Sequence, residues 1–325
     1  MLTDTRGGRL LQYLIVLFVA ATLNFLLPRL MPGNPLVLLA GVDVGLLRPE
    51  ERAQVLERVG LDRPLLTQYL DYWGDLLRGD LGYSYRQKRP ITEMLGNALP
   101  WTLLLTGSAL ALASVAGVVL GALSAWRRAG WTDVSLLWSM IAVNSLPSFW
   151  LGMLLISVVS VQWGWLPSFG AVTPASGYTG WEKVRDIAEH AILPALTLAV
   201  VTTPNIYLVM RYSMLGVLGE EFIRTARAKG LREPVVLFRH VLRNALCPVA
   251  TVLALRLGFA FGGTVVIETV FSYPGLGRLI FEAVSGRDYP VMQAAFLLFT
   301  VAVLLANLLA DLLYPLLDPR TRQRG

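Results

Sequence analysis

The sequence predicts an all-α polytopic membrane protein with six transmembrane helices. Only 15% of its 325 residues are charged, whereas soluble globular domains carry about 25%. Hydrophobic residues make up 55% of the chain, and the mean hydropathy is +0.57. Several runs also stay uncharged for the length that a helix needs to cross a bilayer. These observations exclude an ordinary soluble enzyme.

Each predicted span is an apolar run bounded by charge, proline or glycine. The first run follows Arg6 and Arg9 and covers about 10–30. A cleaved signal peptide is the alternative for this run, but no A-x-A cleavage site follows it, which favours a retained helix. The other spans are predicted at about 100–126, 134–161, 191–210, 245–267 and 289–316. The chain then divides into 1–93 (the first helix and an extracytoplasmic segment), 94–317 (the membrane core, with a cytoplasmic loop at 211–244) and a cytoplasmic tail at 318–325.

Lysine and arginine residues in the short loops predict the orientation of the chain. Fourteen lie on the side of the two termini and four on the opposite side. Both termini are therefore predicted to be cytoplasmic, whereas segment 31–99 is too long to count. Arg86, Lys88 and Arg89 lie close to the second span on the outer side and oppose this bias without reversing it.

The outer segment is predicted to contain two short helices. Pro49 opens the first, which ends before Gly60, and Pro64 opens the second, which runs to Gly79. One face of the second helix carries an apolar stripe at Leu65, Tyr69, Tyr72 and Leu76. Two interpretations stay open: a scaffold that covers the spans, or a docking surface for an external partner.

The signatures of several catalytic sites are missing from the sequence. None of the three lysines follows a glycine, so there is no P-loop to hold a nucleotide. Neither H-E-x-x-H nor G-x-S-x-G occurs, and no basic stripe is interleaved with aromatic residues for nucleic acid. Cys247 is the one cysteine, and His190 and His240 are 50 residues apart, so no metal site is expected. No catalytic residue is predicted, and a transporter, a channel or a structural subunit remains.

The most informative segment is a charged stretch in the 211–244 loop. Two glutamates precede it and basic residues end it, as the dipole of a short helix favours, and Gly230 can stop that helix in the left-handed conformation. Its small and basic side chains fit the groove of a partner protein. The alternative is a plain charged loop. The candidate docking residues are Glu221, Phe222, Arg224, Thr225, Ala226, Arg227, Ala228, Lys229 and Gly230.

Four separated motifs, in order, resemble the permeases of ABC importers, in the dipeptide, oligopeptide and nickel branch. The coupling loop of these permeases reads E-A-A, three residues, G, nine residues, I-x-L-P. Here RTARAKGL at 224–231 and RHVLRNALCP at 239–248 resemble it, with Gly230 as the anchor. The glutamate, one alanine and the late proline depart from the general form. The other motifs are LRGDLGYS at 77–84, ETVFSYPGLGR at 268–278 with RDYP at 287–290, and LDPR at 317–320.

The resemblance implies a type I importer permease in a bacterial or archaeal cytoplasmic membrane, forming half of the translocation pathway for short peptides. The partners it implies are a second homologous permease in a heterodimer, one or two cytoplasmic ATPase subunits, an extracytoplasmic solute-binding protein and membrane lipid, with no nucleic acid. The chain itself would bind no cofactor, because ATP and Mg would bind to the ATPases. The alternatives are nickel, oligosaccharide or glutathione as the solute, a secondary carrier, or a scaffold subunit.

Two features inside the spans leave alternatives open. Arg256 lies in the middle of the fifth span, where a guanidinium needs protein or water around it. It either pairs with a neighbouring span, with Asp311 as one partner, or lines the pathway or its gate. Glycines four residues apart, Gly117 with Gly121 and Gly258 with Gly262, predict close helix packing, either within the chain or at a subunit interface.

Overall fold

The computed structural model describes residues 6–30, 48, 63–84 and 86–317, and these ranges are mostly helical. The helices are α1 (Arg6–Leu30), α2 (Leu65–Leu77), α3 (Ile91–Trp126), α4 (Trp131–Asn144), α5 (Ser148–Leu155), α6 (Gly180–Leu218), α7 (Glu221–Ala228), α8 (Glu233–Val235), α9 (Leu242–Gly263), α10 (Val265–Val270), α11 (Leu276–Ser285) and α12 (Tyr289–Leu317). The π-helical segments Ile156–Gln162 and Val236–Val241 extend α5 and precede α9. A small hairpin pairs β1 (Tyr83–Ser84) with β2 (Arg89–Pro90), with Tyr83 opposite Pro90. The predicted helix before Gly60 and the tail at 318–325 lie outside the described residues.

The all-α membrane class is confirmed, but the count of six spans is not exactly confirmed. Within the described residues, four helices are long and apolar enough to cross a bilayer: Ile91–Trp126, Gly180–Leu218, Glu233–Leu253 and Tyr289–Leu308. A fifth crossing arises if α4 and the α5 segment count as one span. The apolar stretch in α1 is the shorter Leu11–Leu26.

The third predicted span, 134–161, is two helices and not one. The helices Trp131–Asn144 and Ser148–Gln162 meet at an angle of 97°. Pro147 lies between them with φ of −62°. Proline has no N–H to donate and disfavours a helical residue before it, so the break falls where the proline stands. No charged residue occurs anywhere in 134–161, which is why an uncharged run alone predicted one straight helix.

The described chain forms two compact units. One takes in the described residues up to Thr102 together with Pro274–Leu304, and the other takes in Leu103–Tyr273 and the described residues after Leu304. Both α3 and α12 contribute residues to each unit.

In the first unit, aromatic side chains attach α2 to α1. The rings of Phe18 and Trp73 stack at 5.4 Å, and Phe25 meets Tyr69 edge to face at 5.2 Å. The Tyr69 hydroxyl also lies 2.8 Å from Thr22 Oγ1. The predicted stripe on α2 therefore packs in part against a predicted span, although its first member, Leu65, is exposed.

Polar pairs join the remaining elements of the first unit. Asn24 on α1 donates to the carbonyl of Gln293 on α12 at 2.7 Å, and the Gln293 side chain donates back to the Asn24 carbonyl. Ser84 in the hairpin donates to Asp288, and both residues are buried. These partners are more than 200 residues apart in the sequence, so local patterns do not reveal them.

In the second unit, glycines on α3 allow α6 to approach closely. A Cβ on Gly117 would lie 2.7 Å from the Ile206 Cβ, and one on Gly121 would lie 2.7 Å from the Tyr207 carbonyl oxygen. For this glycine pair, the structure decides between the two sequence-based alternatives in favour of packing within the chain. The side chains around Gly258 and Gly262 are outside the described part of the molecule.

Candidate functional site

The charged stretch between α6 and α9 folds as the short helix α7. Glu220 is extended at its start, Glu221 lies in its first turn and Arg227 in its last, which suits the helix dipole. Gly230 has φ of +72°, and its N–H donates to the Arg227 carbonyl at 2.9 Å. Glycine takes this left-handed conformation without the strain that a side chain adds. The predicted helix therefore forms and ends as the sequence indicates.

The helix α7 has an inner face and an outer face. Ile223 is fully buried and Ala226 is 5% exposed, whereas Phe222 is 41% exposed. The exposed residues are Glu221, Phe222, Arg224, Thr225, Arg227, Ala228 and Lys229. Ala226 was predicted to meet a partner, but it packs inside this chain. Ile223 was missed, although its spacing of three from Ala226 marks a shared helix face.

One basic residue of α7 is paired within the chain. Arg227 donates through Nε and Nη2 to the two carboxylate oxygens of Glu233, at 2.9 and 3.1 Å. This fork holds the end of α7 to the start of α8. Arg227 was predicted to offer its charge to a partner, and the structure shows that Glu233 already receives it. Arg224 and Lys229 are the exposed basic residues on either side.

The segment after α7 returns the chain to the membrane core through buried valines. Val236 and Val241 are both fully buried, and α9 then begins at Leu242. Ser213 on α6 donates to the carbonyl of Ala245 on α9 at 2.9 Å. The helix α7 packs against the π-helical segment Val236–Val241, which leads directly into α9.

A buried polar network lies on α6 shortly before α7. Arg211 donates to Asp133 through Nε at 2.8 Å and through Nη2 at 2.9 Å. Ser124 also donates to Asp133, and its oxygen lies 2.7 Å from the Tyr207 hydroxyl. The network joins α3, α4 and α6. Sequence reasoning missed it and treated Arg211 as a loop cation, because Asp133 and Arg211 are 78 residues apart.

Arg256 stays a prediction. Its backbone belongs to α9, within Leu242–Gly263, but its side chain is outside the described part of the molecule. The same is true of Asp311 on α12. The pairing of these two residues and the pathway role of Arg256 are both untested.

Family models match almost the whole chain. Residues 117–323 match the binding-protein-dependent transport system inner membrane component, and residues 7–106 match the N-terminal region of the corresponding membrane component. The chain belongs to this family. It is an inner-membrane permease of a binding-protein-dependent ABC importer, as the resemblance in its motifs predicted.

Two relatives of this permease are similar to it over nearly their whole length. The glutathione transport system permease protein GsiC of Escherichia coli is 40% identical over 320 residues, which cover 97% of this chain and 98% of the relative. The GsiC of Pectobacterium atrosepticum is 41% identical over the same coverage.

Solved structures agree on the fold. The MetNI methionine ABC transporter, in an inward-facing conformation, gives a TM-score of 0.57 at 18% identity, covering 69% of this chain and 96% of that chain. An amino acid ABC transporter with histidines gives 0.52 at 15% identity, covering 69% and 94%. The permease therefore has the type I importer fold. As a transport component of such an importer, it works with ATPase subunits and a substrate-binding protein.

Proposed function

We propose that this permease forms half of the translocation pathway of an ATP-driven importer of short peptides, with glutathione in its substrate range. The observation that carries the proposal is identity of 40% to 41% to glutathione permeases over 97% of the chain. Glutathione is itself a tripeptide, so these relatives and the peptide-importer motifs point to the same class of solute.

The outer face of α7 is the proposed contact with an ATPase subunit. Its exposed Phe222, Arg224 and Lys229 offer an apolar anchor and charges to a groove. Its inner face is buried through Ile223 and Ala226 and the helix packs against Val236–Val241, so a push on α7 reaches the segment that leads into α9. Closure of the ATPases would then rock the spans between inward and outward access.

The rest of the assembly is proposed from the same family membership. A second, homologous permease completes the pathway in a heterodimer, and the termini and α7 face the cytoplasm. ATP and Mg bind to the partner ATPases, so covalent chemistry takes place there and the permease only moves.

The test is uptake by the importer purified with its partner subunits and reconstituted in vesicles. We expect ATP-dependent accumulation of labelled glutathione and of an unmodified tripeptide, only when the binding protein is present. Uptake of nickel or an oligosaccharide in place of peptides would overturn the solute class. Uptake driven by an ion gradient without ATP would establish a secondary carrier, and ATP hydrolysis without any uptake would leave a scaffold role.

A further inference from the structure

A cavity of about 360 Å³ lies in the first unit, outside the segments discussed so far. It is formed by the hairpin, the first turns of α3 and the helix α11. Its polar lining consists of Gln87, Arg89, Asn97, Trp101, Arg278 and Glu282. The volume falls in the range of about 300 to 1,000 Å³ that small-molecule sites occupy.

Buried contacts fix the walls of this cavity. The N–H of Leu276 at the start of α11 donates to Thr102 Oγ1 on α3 at 2.8 Å. Leu276, Ile280 and Ala283 bury the inner face of α11. Ile91, directly after the second strand of the hairpin, is fully buried. Arg89 and Arg278 therefore extend from well-anchored backbone, which helps a site to keep its geometry.

The two arginines carry the chemistry of the cavity. Arg278 donates to Glu282 at 2.8 Å, and Arg89 donates to Glu93, each four residues further along the chain. The side chains of Arg89 and Arg278 are 49% and 36% exposed. Ion pairs this exposed are weak, so a carboxylate that enters the cavity can compete with these glutamates for the guanidinium forks. A guanidinium binds a carboxylate with two parallel hydrogen bonds.

The basic residues beside this cavity oppose the charge bias that predicts the orientation of the chain. Arg86, Lys88 and Arg89 lie on the side predicted to be extracytoplasmic, where basic residues near a span are disfavoured. Arg89 lines the cavity with Arg278. For Arg89, the one residue of these three that lines the cavity, capture of an anionic group accounts for a positive charge outside the membrane.

We infer that this cavity is an outer subsite that takes the carboxylate end of a short peptide, with Arg278 and Arg89 as its anion-binding groups. The inference rests on the proposed function, since it concerns the solute of the same importer. Asn97 and Gln87 supply amides for the peptide backbone, and Trp101 offers an apolar wall for a side chain.

The test compares two solutes that differ only in the carboxylate: glutathione and its analogue with an amide on the terminal glycine. Uptake of each is measured with the reconstituted importer at saturating binding protein. The preference of the binding protein is the same for every permease variant, so it cancels when the glutathione-to-amide ratio is compared between variants. We expect Arg278→Gln to lower this ratio about tenfold, which is the effect of losing a hydrogen bond to a charged group.

Further variants allow the subsite to be tested even if the Arg278→Gln permease assembles poorly. Arg89→Gln should lower the same ratio, and Arg278→Lys, which keeps the charge but not the fork, should lower it less. Glu282→Gln removes the competing carboxylate, so it should raise the ratio. Basal ATPase activity of each assembled complex serves to show that the permease is folded.

Matched controls remove a charge elsewhere. Arg185→Gln breaks a similar one-turn pair, with Glu189, and Lys88→Gln removes a charge from the hairpin outside the cavity lining. Neither control should change the glutathione-to-amide ratio.

If Arg278→Gln behaves like these controls, the proposed subsite is wrong. If it slows both solutes equally and more binding protein restores uptake, the face docks the binding protein and the subsite is also wrong. If the wild-type importer takes up no peptide, both the proposed function and the proposed subsite are wrong.

Discussion

At the scale of single residues, Asp133 in the second unit is a buried carboxylate held by four hydrogen bonds. It accepts from Arg211 twice, from Ser124 and from the backbone N–H of Ala129. Its side chain is 6% exposed and that of Arg211 is 13% exposed. Low exposure makes these hydrogen bonds strong and makes the loss of one partner costly, because the other charge is left buried.

We therefore expect Asp133→Asn and Arg211→Gln each to lower the stability of the permease by about 3 kcal/mol. The double variant should lose clearly less than the sum, because neither charge is then left alone. Thermal unfolding of the detergent-purified complex measures both effects. The exposed pair of Arg185 with Glu189 is the control and should show little coupling. Additive losses at Asp133 and Arg211 would contradict a shared network.

The network also shows which residue contacts a sequence can reveal. Gly230 could be identified as a helix stop because the reason is local: the chain turns there, and glycine permits the turn. Asp133 and Arg211 could not be paired, because their contact depends on how α4 and α6 pack. The burial of Ala226 could not be predicted for the same kind of reason, since a small residue fits either an outer groove or an inner face.

At the scale of elements, the close contact between α3 and α6 depends on glycines, which have no side chain. We expect Gly121→Ala to destabilise the permease by about 1 to 3 kcal/mol, the usual cost of overpacking. The new Cβ would lie 2.7 Å from the Tyr207 carbonyl oxygen and 2.9 Å from the Met210 Cβ. The melting temperature of the purified complex reports the change.

Gly107 on the same helix is the control for this prediction. Nothing lies within 4 Å of a Cβ added there, so Gly107→Ala should be neutral or stabilise the helix by up to about 1 kcal/mol. Equal effects at both positions would mean that helix propensity, and not close approach, decides the outcome. The glycine spacing in the sequence predicted close packing, but only the structure names α6 as the partner of α3.

The two faces of α7 predict two different phenotypes. Phe222→Ser and Arg224→Glu on the outer face should leave yield and melting temperature unchanged but reduce uptake, because the ATPase contact weakens. Ile223→Ala on the inner face should instead destabilise the permease by about 2 to 5 kcal/mol, because it opens a cavity in packed surroundings. Uptake, substrate-stimulated ATPase activity and thermal unfolding are measured on the same preparations.

Salt gives this prediction a second readout. A charge at the rim of an interface is screened at high ionic strength, so the defect of Arg224→Glu should depend on salt and that of Phe222→Ser should not. Full substrate-stimulated ATPase activity in both outer-face variants would show that α7 is not the coupling element.

At the scale of the whole molecule, the sequence predicts well the properties that are averaged over long segments, such as which segments are membrane helices. Long apolar runs appear as helices because backbone groups in a bilayer must be satisfied internally, and α3 and α12 follow from this rule alone. The bend of 97° between α4 and α5 does not follow from this rule, because hydropathy does not indicate the direction of a helix axis. The cavity on the first unit was also missed, because its two arginines are 189 positions apart in the numbering and meet only through packing.

The orientation of the whole chain is the last prediction, and it rests on charge. Fourteen basic residues in short loops on one side against four on the other place both termini and α7 in the cytoplasm. Reporters fused after Arg128, within 224–232 and after Arg322 should therefore report a cytoplasmic location, and one fused near Gly60 should report the outside. A cytoplasmic signal near Gly60 would overturn this orientation, and with it the outer location of the cavity lined by Arg89 and Arg278. A mature N-terminus near residue 22 would instead show that the first apolar run is removed as a signal.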